Sequence, residues 1–327
     1  MLTATRPQTP PTPSQGTAGV GAPILPVGAW RGERTVLRTR TAPRVVASVV
    51  ALLAAVGVWL VWRFFVGTAA GQRVDDLAFD GATHGQGRLW QVAEPVLDVV
   101  SVAFVVAGVG VAMLVAVLRR RWVLALQVAV LVAGANVTTQ VLKHGILDRP
   151  ELLDGWTGPN TLPSGHTTVA ASVSVALLLV TPRAWRAVVA LLGAAYTGAT
   201  GVSTLVGQWH RPSDVVAAVL VVLAWGALVC ALTPASSTDE LRREGESYSA
   251  PASYVIAGLL LLGSLAGAVV SGATLVGLVR SGDPVPLSPD LTAYAAGALG
   301  VLAVTAAAFA VLLLLRQLTA QPRRTSR

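Results

Sequence analysis

The sequence predicts an all-α fold, a polytopic bundle of membrane helices, and three observations predict it. Of 327 residues, 54% are hydrophobic and only 12% charged, roughly half the charged share of a soluble domain. Mean hydropathy is +0.66, and the apolar residues fall in long blocks almost free of charge, the pattern that a bilayer selects. The basic residues lie between those blocks rather than spread over a surface.

Residues 1–44 come first, rich in Pro, Thr, Gly and Arg and without hydrophobic periodicity. They read as a disordered cytoplasmic tail. They do not read as a signal peptide, because the first apolar block starts late and runs long. Eight blocks follow, at about 45–67, 95–118, 122–142, 166–181, 187–206, 212–232, 253–279 and 291–315. Each is long enough, or nearly so, to cross a hydrocarbon core of ~30 Å at ~1.5 Å per residue. The fourth and fifth are short and hold Ser, Thr and Gly, so other helices are expected to shield them. Gly193, Thr197 and Gly201, spaced by four, read as a close-packing seam. Residues 233–252 read as a solvated cytoplasmic loop and 316–327 as a cytoplasmic tail.

Orientation follows from the basic residues of the connections. With the N-terminus inside, the inner segments hold Arg31, Arg34, Arg38, Arg40, Arg44, Arg119, Arg120, Arg121, Arg183, Arg186, Arg242, Arg243, Arg316, Arg323 and Arg324, among others. The outer ones hold only Arg73, Arg88, Lys143, Arg149, Arg211 and Arg280. Both termini are therefore expected in the cytoplasm. The net charge of +8 is explained by topology, and no nucleic-acid partner is expected. Cys230 is the only cysteine, so no intramolecular disulfide forms. His84, His144, His166 and His210 all fall on the outer side. Ionisable groups at membrane depth are costly and are functional candidates by default; His84 and His144 read as solvated.

Three outer stretches carry the chemistry. "KHGILDRP", Lys143 to Pro150, ends the third block. It supplies a point charge at Lys143 and a planar fork at Arg149, both suited to phosphate. "PSGH", Pro163 to His166, opens the fourth block. Ser164 is a good N-cap and Gly165 allows close backbone approach, while a helix N-terminus favours an anion. "STLVGQWHRPSD", Ser203 to Asp214, precedes the sixth block. His210 and Asp214 are four apart and share a face if Pro212 starts a helix. A carboxylate on one ring nitrogen leaves the other free to attack. His166 is then the candidate general acid, and afterwards the base for water. No metal-ligand cluster is legible, and no cofactor is expected.

Together these stretches resemble the three motifs of the type 2 phosphatidic acid phosphatase superfamily, over about residues 45–232. Those motifs read Lys, six residues, Arg-Pro; then Pro-Ser-Gly-His; then Ser-Arg, five residues, His, three residues, Asp. The resemblance implies an integral membrane lipid phosphatase of bacterial type, to which the Ala- and Arg-heavy, Lys-poor composition also points. It implies a six-helix phosphatase core over 45–232, with two additional transmembrane helices over 253–315. It makes Lys143, Arg149, Ser164 and Gly165 phosphate-binding, His166 the general acid, His210 the residue that is phosphorylated and Asp214 its orienter. The implied reaction is metal-independent hydrolysis of a lipid phosphate or diphosphate at the outer interface. Candidate substrates are phosphatidic acid, a phosphatidylglycerol phosphate or a polyprenyl diphosphate.

Two departures stand out. Five residues, not six, separate Lys143 from Arg149, and Thr204 follows Ser203 where the family has Arg. One transition-state cation is worth ~3 kcal/mol, a few hundredfold in rate. Arg211, beside His210, is the candidate replacement. The competing readings are a phosphotransferase using the same residues, and a weak or inactive relative that binds lipid phosphates.

Overall fold

The computed structural model describes residues 36–99, 107, 110–114, 117–118, 121–153, 159–234, 239, 250–280 and 288–325. Residues 1–35, 11 of the 24 residues of the block 95–118 and most of the loop 233–252 lie outside them. The fold below is that of residues 37–324.

Among the described residues the architecture is helical, apart from two four-residue strands that pair, β1 (Val36–Thr39) and β2 (Pro322–Thr325). Both fall where irregular tails were expected. The helices are α1 (Thr41–Val61), α2 (Ala69–Gly81), α3 (Gln86–Val99), α4 (Trp122–Val141), α5 (Gly165–Val180), α6 (Arg186–Val206), α7 (Pro212–Ala231), α8 (Pro251–Arg280) and α9 (Pro289–Thr319). Wide turns extend α1 over Trp62–Val66 and α4 over Leu142–Ile146. Six of these helical segments are long and apolar enough to cross a membrane, which makes this a multi-pass membrane protein.

The shorter α5 spans sixteen residues, ~24 Å of helix. It survives because neighbours bury it: α4, α6 and α7 pack round it and most of its side chains are inaccessible. Polar groups at this depth tie helices together rather than line a path. Asn136 donates to the Ser172 hydroxyl at 3.3 Å, Thr139 and Thr168 share a hydrogen bond of 2.9 Å, and the Trp225 indole donates to Thr138 at 3.0 Å.

Two elements were not anticipated. Segment 68–94, between the first two apolar blocks, carries α2 and the start of α3. Thr68 caps α2 by accepting the Gly71 N–H at 3.0 Å. Val74 and Ala78, four apart, are buried on one face, while Asp76 and Asp80 are not. The second surprise is α9. Rather than an appendage, it packs against α2, α6 and α7 as well as α8. Phe309 fills the space over Gly193, where a Cβ would approach its ring to 2.7 Å. Gly201 sits equally close to Val215 of α7, so the Gly193–Gly201 seam joins α6 to both helices. Gly297 lets α9 touch Pro212, whose Cγ would lie 2.5 Å from an added Cβ.

At the end of the bundle where α5 and α7 finish and α6 starts, arginines are buried. Arg186 binds Asp239 through both carboxylate oxygens, at 2.7 and 2.9 Å, and also donates to Gln317 at 3.3 Å and the Thr181 carbonyl at 3.2 Å. Arg316 donates to the Leu179 carbonyl at 3.1 Å.

Candidate active site

All three sequence stretches gather at the other end, where α5 and α7 begin and α6 finishes. The turn into α5 is braced by Asn160, whose side chain donates to the Leu162 carbonyl at 2.8 Å and accepts the Leu162 N–H at 3.2 Å. The Leu162–Pro163 peptide is cis. Ser164 is the N-cap of α5, and its hydroxyl accepts the Thr167 N–H at 3.4 Å. Its own N–H donates to the Asp214 carbonyl at 2.9 Å, so the second stretch is hydrogen-bonded to the third. A Cβ on Gly165 would meet only the Gln140 side chain, at 3.9 Å. Packing does not demand a glycine there, but an approaching ligand would.

Pro212 opens α7, as the sequence predicts. His210 nevertheless lies outside the helix rather than on its face. Arg211 is the N-cap residue, and Asp214, three residues in, folds back to accept the Arg211 N–H at 3.1 Å. The same Oδ2 atom contacts His210 Nδ1 at 3.0 Å. A carboxylate there holds the proton on Nδ1 and leaves the Nε2 lone pair free. The His210 backbone N–H is tied to the Thr204 carbonyl at 3.3 Å, and both His210 and Asp214 are buried. His166 is exposed. Its ring centre lies 6.4 Å from that of His210 and 5.2 Å from that of Trp209, which in turn meets Trp90 at 6.1 Å.

Lys143 sits on the wide turn after α4, half-buried, and is an electrostatic neighbour of His166. Below that turn runs an apolar groove of about 330 Å³ between α1, α4 and α7, lined by Trp59, Leu142, Ile146, Leu147 and Trp225 among others. Thr204 is fully buried and its hydroxyl donates to the Gly201 carbonyl at 2.7 Å. His84, expected in solvent, is half-exposed and lies 3.5 Å from Asp290 at the start of α9. His144 is exposed.

Two residues in this region were missed in the sequence. Asp76 of α2 accepts from Arg211 Nε at 2.6 Å and from Arg149 Nη2 at 3.1 Å. Asp75, beside it, accepts from both the backbone N–H and the hydroxyl of Ser213 in α7. Burial beside an apolar cavity of about 220 Å³, and then the charge of Asp214, push the Asp75 carboxyl up to about 7. The signal was the run "VDDLAFD", whose Val74 and Ala78 fit a helical face. Its low hydropathy hid it among the connections.

Fold and site thus define a multi-pass helical membrane protein with a carboxylate-oriented histidine at one end of its bundle. Residues 122–237 match the family model of the PAP2 superfamily. The match runs from α4 past the end of α7 and contains every site residue read from the sequence. It leaves out α1 to α3, α8 and α9. PAP2 members are phosphatases, and the match supports a general phosphatase role. No curated protein and no solved structure matches the chain.

Proposed function

We propose that this protein hydrolyses a lipid phosphate or diphosphate at the extracytoplasmic membrane–water interface, without a metal, through a phosphohistidine. The observation that carries the reading is the 3.0 Å contact of His210 Nδ1 with Asp214, with the exposed His166 ring 6.4 Å from that of His210. In the first step His210 Nε2 forms a bond to phosphorus as the P–O bond to the leaving group breaks, an ester in a monophosphate and an anhydride in a diphosphate. The His166 imidazolium donates its proton to the departing oxygen. Water then attacks phosphorus, His166 takes its proton, the P–N bond breaks and inorganic phosphate leaves. Asp214 keeps the Nδ1 proton in place throughout and offsets the charge that develops on the ring. Lys143, Arg149, the amino end of α5 at Ser164 and Gly165, and Arg211 are the groups proposed to bind the phosphoryl oxygens. The groove below the Lys143 turn suits a hydrocarbon chain whose polar end lies at that turn. Both termini are proposed to be cytoplasmic.

The test is phosphate release by purified protein in detergent with EDTA present. The panel is phosphatidic acid, a phosphatidylglycerol phosphate and a polyprenyl diphosphate, each with His210→Ala alongside. Release by the wild type alone supports the reading, and the best substrate names the lipid class. Activity lost in EDTA and restored by Mg²⁺ would overturn the metal-free mechanism. One departure favours a second reading: Thr204 puts a fully buried hydroxyl where the family has a cation. A wild type that binds lipid phosphate but releases none is a binding protein instead.

A further inference from the structure

We propose that Asp76 is a positioning residue of the phosphate site: its carboxylate draws Arg211 against Arg149 and so makes Arg211 the cation that Thr204 leaves out. This rests on the lipid-phosphatase reading above.

Thr204 cannot supply the missing charge, and its hydroxyl is committed to the Gly201 carbonyl. Arg211 follows the proposed nucleophile directly. Its backbone N–H and His210 Nδ1 share one oxygen of Asp214, so its main chain is fixed to the nucleophile's own orienter. Its side chain is held by α2 through two residues on one face. Asp76 Oδ1 accepts from Nε at 2.6 Å, and the guanidinium carbon lies 4.9 Å from the Phe79 ring centre. Arg149 reaches the same Oδ1 at 3.1 Å. Two guanidiniums therefore converge on one carboxylate oxygen, one from the first stretch and one from the third.

Left to themselves these like charges would separate. Burial, and after it the charge of Arg211, lower the Arg149 pKa from its ordinary value, and Asp76 works against both. Exposure separates the roles: the Asp76 side chain is 26% accessible, those of Arg149 and Arg211 only 4% and 3%. Asp75, next on the helix, binds Ser213 and so fixes α2 to the start of α7. A cation held in place stabilises developing charge without reorganising during the reaction. Asp76 acts through the arginines and is not itself assigned a contact with substrate.

The experiment measures orthovanadate binding by calorimetry on the purified full chain, together with phosphate release from the lipid panel. Asp76→Asn should weaken vanadate binding and lower kcat/KM by on the order of 10- to 100-fold, most of it in kcat, as misplaced cations do. Asp76→Glu should recover part of the loss. In an Arg211→Ala background the further loss on adding Asp76→Asn should be at least about fivefold smaller than in the wild type, because coupled residues are non-additive. Vanadate binding by Asp76→Asn equal to or tighter than wild type overturns the inference, and so do losses that simply multiply. If Asp76→Asn does not fold, Arg211→Lys serves: it keeps the charge but loses the Nε donor, and undiminished vanadate binding by it overturns the role. A wild type that neither binds vanadate nor releases phosphate removes the phosphatase reading and this inference with it. Wild-type binding with an indifferent Asp76→Asn removes only the role of Asp76.

Discussion

The two ends of this bundle solve one problem differently. Each buries arginines against a carboxylate. At the end where α6 begins, Arg186 grips Asp239 with a bidentate fork and spends further donors on Gln317 and the Thr181 carbonyl. No histidine lies there among the described residues. At the other end Asp76 binds Arg149 and Arg211 from a partly open position, and two histidines stand nearby, one of them exposed. A saturated pair at a helix junction fixes geometry and reacts with nothing. An arginine pair held by a partly open carboxylate, near an oriented imidazole, is the arrangement proposed above to meet the phosphate. Buried charge alone therefore does not mark a candidate site; the company of a carboxylate-oriented histidine does.

The sharpest way to break that contrast is to remove the proposed nucleophile. His210→Ala should lower phosphate release by roughly four orders of magnitude or more, as loss of a covalent nucleophile does elsewhere. The fold should remain intact by size exclusion and thermal melting. Arg186→Ala at the far end should do the reverse. It should cost about 3–5 kcal/mol of stability, because Asp239 is left buried without its partner, while kcat/KM of the folded fraction stays put. A paired Arg186→Met, Asp239→Leu variant should recover most of that loss. If His210→Ala kept its activity, or Arg186→Ala abolished that of folded protein, the division between the two ends would be wrong.

How much of this was legible follows from what a pattern can carry. Helix type was plain wherever the bilayer imposes a long apolar block, and so α1, α4 and α6 to α9 lie where the sequence places them. The three stretches were legible because each sits at the end of such a block. What stayed hidden depends on tertiary contact. α2 is amphipathic and looks like a connection, so Asp75 and Asp76 went unread although they touch two of the stretches. Nothing in the spacing of His210 and Asp214 says that the histidine lies before the helix rather than on it. The role of the last helix was unreadable because Gly297 and Phe309 reveal their function only through Pro212 and Gly193.

That last contact offers a milder test. Gly297→Ala would place a methyl group 2.5 Å from Pro212 Cγ, where neither helix has room. Relief requires α9 or the start of α7 to shift, at about 1–3 kcal/mol for overpacking. Pro212 adjoins Arg211 and lies two residues from His210, so the variant should lose activity as well as stability. Gly263→Ala in α8, where a Cβ meets nothing within 4 Å, is the control and should change neither. Equal behaviour of the two variants would return α9 to the status of an appendage.

The smallest expected effect concerns Asp75, a carboxyl near the site that burial has moved into the neutral range. Desolvation is the main cause and the Asp214 charge the second, against opposing hydrogen bonds from Ser213 and the charge of Arg211. Its pKa rises from 3.8 unfolded to about 7 folded, so the folded state favours the protonated acid. The sign follows from linkage. The contribution of protonated Asp75 to stability is fully present below about pH 4, declines as pH rises towards 7, and is gone above it. Asp75→Asn mimics the neutral acid at every pH. Thermal melts of the two proteins from pH 5 to 8 should therefore diverge, with the wild type losing ground to Asp75→Asn until about pH 7 and the gap constant beyond. Parallel profiles would mean that Asp75 titrates like an ordinary surface carboxylate and that water reaches the cavity beside it. An inverted gap, with the wild type gaining as pH rises, would appear only in melts extended below about pH 4; it would mean that the Ser213 hydrogen bonds and the Arg211 charge outweigh burial, and that α2 is joined to α7 by a charged carboxylate rather than a neutral one.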